Sequence, residues 1–188
     1  MPRIELPPLT SGPVRLRPPT EADVAAIAAA CQDPDIQRFT RVPSPYTAAN
    51  AREFVHFCRD TLQRGTGVHL LAVDTDDEVL GAVGLGIDLA DFSGELGYWV
   101  APHARRRGVA RRGCRLLLEL AFGPLQLGFV GLHAAASNQA SNGLARALGF
   151  TLEGTLREAM IDGPSGDRSA PRCDANVWGL RPHEYSPA

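Results

Sequence analysis

The sequence predicts a single α/β (α+β) domain wrapped around a central mixed sheet, and three observations carry that expectation. Its 188 residues fit one domain of ordinary size and leave little room for two. Forty-four per cent of the residues are hydrophobic and 21% charged, enough apolar surface for a packed core. The order of patterns is the third: helices first, then antiparallel strands, then a strand-helix-strand-helix-strand alternation.

Residues 1–13 read as a proline-rich arm. Val14 to Arg17 alternates apolar and charged residues like a short strand, which Pro18 and Pro19 end. From Thr20 to Gln32 the pattern is helical, with Thr20 and Asp23 spaced as a capping box and Val24 and Ile27 on the apolar side. Asp33-Pro34 stops that helix, and a short turn over Asp35 to Phe39 follows. Pro43 and Pro45 then disfavour helix until Thr47 caps a longer one running to Arg64. Its predicted buried stripe is Phe54, Val55, Phe57, Cys58 and Leu62.

Val68 to Val73 and Val79 to Ile87 read as a hairpin about the acidic turn Asp74 to Asp77. A third strand, Glu95 to Ala101, ends at Pro102, and a helix from Gly108 to Phe122 carries Leu116, Leu117, Leu120 and Ala121 on its apolar side. Phe129 to Ala136 is a strand and Gln139 to Leu148 a helix. Phe150 to Glu158 and Asn176 to Leu180 complete the strands. Trp99, Trp178 and His133 are expected to pack, and His103 to lie in an exposed turn.

Charge narrows the function classes. The net charge is -2, which argues against a dedicated nucleic-acid or anionic-membrane partner. All 19 basic residues are arginine, and six of them (Arg105, Arg106, Arg107, Arg111, Arg112, Arg115) fall between positions 105 and 115 with no acid among them. Six like charges so close need open solvent or an anion. No aromatic residue interleaves with them for stacking on bases. No apolar run is long enough for a membrane span, and prolines stand where a signal peptide needs an apolar core, so a cytoplasmic protein is expected. Cys31, Cys58, Cys114 and Cys173 lack metal-site spacing and read as buried free thiols, with no metal expected.

The chemistry concentrates in Glu95-Leu96-Gly97-Tyr98-Trp99-Val100 and the loop that follows. A strand runs out, the chain turns, and a helix opens at Gly108, leaving backbone N–H groups near residues 106–110 without intrahelical partners. Such a helix start favours a phosphate through aligned N–H groups and the positive end of the dipole. Gly108 lets an anion approach the backbone, Ala110 keeps the next position small, and the arginines add forked donors.

These blocks, together with Arg105-x-x-Gly108-x-Ala110, Asn138-Gln139-Ala140-Ser141, Ala147-Leu148-Gly149-Phe150 and Glu153-Gly154, resemble the GNAT superfamily of acyl-CoA-dependent N-acyltransferases. Within it the sequence is similar to the RimJ/RimL-type, ribosomal-protein N-terminal acetyltransferase branch, with Leu16-Arg17-Pro18, Asp23, Asp33-Pro34, Pro45-Tyr46-Thr47 and Ala51 in agreement. The resemblance covers residues 14–185, the expected domain. It implies a mostly antiparallel sheet of about seven strands flanked by about four helices, with a splayed strand pair at the cofactor site. It implies acetyl-CoA as cofactor and direct transfer to an amine, a protein N-terminus or a small amine, in a ternary complex. Homodimers are common in such a branch.

By the same resemblance, the strand through Tyr98 and Val100 would pair its backbone with the pantetheine arm. Arg105, Arg106, Arg107, Gly108, Val109 and Ala110 would hold the diphosphate mainly by main chain. Asn138 would bond the pantetheine, and Ser141 would lie near the sulfur. Glu95 stands where relatives keep a carboxylate base for the amine proton. Many relatives meet the leaving thiolate with a tyrosine where this chain has Ala145, which shifts that role to Ser141. Arg112-Gly113 replaces a usual glutamate-alanine pair, and glycine there costs about 1 kcal/mol of helix propensity. Two alternatives stay open: a CoA-binding sensor that has lost turnover, and transfer of a longer acyl group such as succinyl.

Overall fold

A computed structural model describes residues 4–186. Its core is an eight-stranded sheet in the order β1-β2-β3-β4-β5-β6-β8-β7. The strands are β1 (Leu9–Ser11), β2 (Val14–Arg17), β3 (Gly67–Val73), β4 (Val79–Asp88), β5 (Ser93–Val100), β6 (Phe129–Ala135), β7 (Thr151–Ile161) and β8 (Arg172–Leu180). Every neighbouring pair is antiparallel except β5 and β6. Five α-helices flank it: α1 (Val24–Ala30), α2 (Pro34–Phe39), α3 (Ala48–Arg64), α4 (Val109–Phe122) and α5 (Gln139–Ala147). None of the described helices is long and apolar enough to cross a membrane.

Local chemistry sets these boundaries. Thr20 and Asp23 form the expected capping box around a 3-10 turn that runs into α1. Asp33 does more than stop α1: its carboxylate accepts from the N–H groups of Asp35 and Ile36, capping α2, with Pro34 at the first helical position. Thr47 and Asn50 make a second box at the head of α3, and Gly65, at φ 71°, ends that helix.

Strand alternation sorts the core into two layers. One face buries Val24, Ile27, Ile36, Tyr46 and Ala51 of the first three helical segments and their loop against Leu71, Val73, Ala82 and Trp99. The other buries α4 and α5 against Leu70, Leu80, Leu85, Leu96, Val130, Leu132 and Trp178. Leu116, Leu117, Leu118 and Leu120 of α4 are all buried, each contributing about 2 kcal/mol. That far exceeds the propensity lost at Gly113. A Cβ at Gly113 would lie 2.9 Å from Val83 Cγ1, so the glycine is what lets α4 sit this close to β4.

Several expectations need correction. The sheet has eight strands because residues 9–11, placed in the arm, pair with β2 and bury Leu9. The stripe of α3 runs through Ala51 and Cys58, and Phe57 is 48% exposed, its ring 4.8 Å from that of His69 on β3. Cys173 is only half-buried. The last two strands extend further than their apolar cores suggest, since β7 is an edge strand with most of its residues exposed.

Candidate active site

The parallel ladder between β5 and β6 covers only Ser93, Gly94 and Glu95 against Phe129, Val130 and Gly131. Beyond it β5 continues to Val100 and β6 to Ala135 without pairing to each other. The strands open like a fork, and the β5 edge facing β6 keeps unpaired backbone groups along Leu96 to Val100. Its other edge is fully laddered to β4, out to Val100 opposite Gly81.

The phosphate-ready loop follows. Arg106 has φ 63° and Gly108 φ 75°, both in the left-handed region, and Gly108 is the N-cap of α4. Val109 is buried and pins the helix start into the core. The N–H groups of Arg106 through Arg111 find no acceptor among the described residues, and the helix's first bond is donated by Arg112 to the Gly108 carbonyl. Arg106, Arg107 and Arg111 are exposed, and a Cβ at Gly108 would have nothing nearer than the Arg112 side chain at 3.9 Å. Open N–H groups, free guanidinium groups and a bare glycine fit a diphosphate.

Two arginines are engaged elsewhere. Arg105 grips the Asp33 carboxylate and lies 3.4 Å from Asp35, tying the loop to the head of α2. Burial opposes ionisation of Asp33, but Arg105 and the α2 N–H groups hold its carboxyl below the ordinary range. Arg112 packs its guanidinium over the β1–β2 turn at Gly12.

Across the fork, Asn138 caps α5 by accepting from the Ser141 N–H at 3.1 Å. Ser141 is buried beside Tyr98, whose phenol pKa burial pushes up to about 12 while the Ser141 hydroxyl pulls it the other way. Tyr98 and Ser141 therefore share the α4–α5 side of the sheet. Ala145 is fully buried. Glu95, on the same face of β5 as Trp99, looks out on the opposite side, with Oε1 3.6 Å from Arg41 and 3.5 Å from His133 Nδ1.

Sequence reasoning missed three residues here. His133 is exposed rather than packed, because Val130, Leu132 and Ala134 take the core side of β6 and alternation turns His133 away. That signal was present in the strand's own pattern. Arg41 comes from the α2–α3 loop and carries no sequence cue. Asn142 is a buried hub: its amide donates to the carbonyls of Ala135 and Asn138 at 3.0 and 2.8 Å, and its oxygen accepts from Asn176 and the Trp178 indole. It fastens the open end of β6 to α5 and β8.

A splayed parallel pair feeding an anion-ready helix start defines an acyl-CoA-dependent acyltransferase domain. The family model for the acetyltransferase (GNAT) domain matches residues 14–151, and the chain belongs to that family. It is an acetyltransferase that uses acetyl-CoA. Over 172 residues it is 25% identical to the uncharacterized N-acetyltransferase YoaA of Bacillus subtilis (strain 168), covering 90% of this chain and 94% of that one. YdaF of the same organism, assigned by name to the ribosomal N-acetyltransferases, is 31% identical over 86 residues, 45% of this chain and 47% of YdaF. That match spans about half the length of the relative. Among solved structures, the ribosomal L7/L12 alpha-N-protein acetyltransferase RimL in complex with coenzyme A shares the fold at TM-score 0.80 and 22% identity, over 91% of this chain and 95% of that one.

Proposed function

We propose that the protein transfers an acetyl group directly to a primary amine in a ternary complex, with no covalent enzyme intermediate. The observation that carries this reading is the two-sided dressing of β5, with Glu95 on one face and Tyr98, toward Ser141 of α5, on the other. Bound acetyl-CoA supplies a thioester whose acyl carbon is the electrophile. Glu95 takes a proton from the acceptor ammonium on its own face, freeing the nitrogen lone pair. Ser141 donates its hydroxyl toward the leaving thiolate on the other face. The Asn138 side-chain amide and the unpaired edge at Tyr98 and Val100 hold the pantetheine. The main chain from Arg105 to Ala110, with the Arg106 and Arg107 guanidinium groups, holds the diphosphate.

A protein N-terminal α-amine is the favoured acceptor, on the strength of the ribosomal-protein names carried by YdaF and RimL. Small amines are the second class. Arg41 beside Glu95 favours one further reading, a carboxylated acyl chain such as succinyl paired with that guanidinium.

The test offers the purified protein acetyl-CoA or succinyl-CoA with peptides bearing free N-termini and with small amines, and follows thiol release and product mass. Acetylated peptide from wild type and its loss in Glu95→Gln support the proposal. Tight CoA binding with no product from any acceptor contradicts it.

A further inference from the structure

We infer that His133 is a positioning and proton-relay residue for the acceptor amine, acting through Glu95 as a carboxylate–imidazole pair across the mouth of the fork. The inference rests on the reading of Glu95 as the base.

Glu95 is the last β5 residue laddered to β6, opposite Gly131, and His133 lies two residues further along β6 on the same face. The two side chains thus stand on either side of the point where the strands part. His133 Nδ1 is 3.5 Å from Glu95 Oε1, a gap that a small side-chain rotation closes to a hydrogen bond. The side chains are 41% and 53% exposed, so the pair opens to solvent.

Little else competes for the imidazole. Its neighbour on β8 is Val177, the next outward β5 position is Gly97, and α4 and α5 lie behind the sheet. Among the described residues, Glu95 is the charged group in ion-pair reach of His133, and Arg41 beyond it contacts the same Oε1 at 3.6 Å. Both neighbours approach Oε1, and Oε2 of Glu95 has no ion-pair partner among the described residues.

Histidine is the side chain whose charge changes between pH 5 and 8, which suits it to pass protons to water. The acceptor ammonium gives one proton to Glu95, which passes it through His133 to solvent. The freed nitrogen bonds to the acyl carbon as the carbon–sulfur bond breaks, and the second nitrogen proton ends on the sulfur as CoA thiol. The sum is one amide, one thiol and one proton released.

Two measurements test the pair. In the free protein at pH 6.5, Glu95→Gln moves the His133 Cε1–H NMR resonance while those of His56, His69, His103 and His183 stay in place; an unmoved His133 signal overturns the pairing. In acetyl transfer to the best peptide or amine of the panel, His133→Gln lowers kcat about tenfold, leaves KM for acetyl-CoA unchanged and alters the acid limb of the pH profile. Wild-type kcat and an unaltered profile in His133→Gln overturn the relay. A wild type that turns over no acceptor contradicts the acetyl-transfer reading instead, and the NMR result then decides the pair by itself.

Discussion

The Arg105 guanidinium holds the Asp33 carboxylate, the same group that caps α2, so the loop leading to the phosphate-ready helix is tethered to the opposite side of the domain. Its side chain braces the loop, and its main chain is what remains for a ligand. Arg105→Ala is expected to cost about 1 kcal/mol of stability and to weaken CoA severalfold by loosening the loop. Asp33→Asn should do the same without touching the loop's charge. Calorimetric CoA titration of both variants checks this; a normal affinity in Asp33→Asn would break the link.

Gly108 and the free arginines make separable contributions. Gly108→Val is expected to abolish measurable CoA binding, since the side chain fills the anion's approach and the backbone sits at φ 75°. Arg106→Ala and Arg107→Ala should each weaken CoA only severalfold, and the difference from wild type should shrink at high salt. Equal losses at all three positions would mean that charge, and not backbone, dominates.

Gly113→Ala tests the packing of α4. Helix propensity alone predicts stabilisation by about 1 kcal/mol. The added methyl would meet Val83 Cγ1 at 2.9 Å and Leu16 Cδ2 at 3.6 Å, both in the core, so net destabilisation of about 1 to 2 kcal/mol is expected. Urea denaturation gives the sign directly.

His69 on β3 sets an acid sensitivity of the fold. Burial lowers its pKa to about 4, below the ordinary 6.5 of the unfolded chain. The unfolded state therefore binds the proton first, and stability should fall by about 3 kcal/mol as pH drops from about 6.5 to 4, levelling below that. His69→Phe should flatten that window in thermal melts; an unchanged slope would remove His69 as its source.

The order of elements, the Thr20–Asp23 capping box, the Thr47 cap and the open helix start at Gly108 were legible in the sequence because each rests on neighbours a few residues apart. The fork was legible only through family resemblance, since splaying depends on which strands pair. What escaped was long-range. Arg105 and Asp33 are joined across 72 residues, and Asn142 meets Trp178 across 36. Leu9 buries itself only once β2 offers an edge. Phe57 was misplaced for a local reason: the stripe through Ala51, Phe54, Val55 and Cys58 already fills the buried face of α3, and Phe57 falls outside it.

The central claim is direct transfer to an amine deprotonated at Glu95. Initial rates with acetyl-CoA and acceptor both varied, for wild type and Glu95→Gln, test it most directly. Intersecting double-reciprocal lines are expected, with kcat in Glu95→Gln down at least 100-fold and KM for acetyl-CoA unchanged. Parallel lines, or a Glu95→Gln enzyme with wild-type kcat, would contradict it.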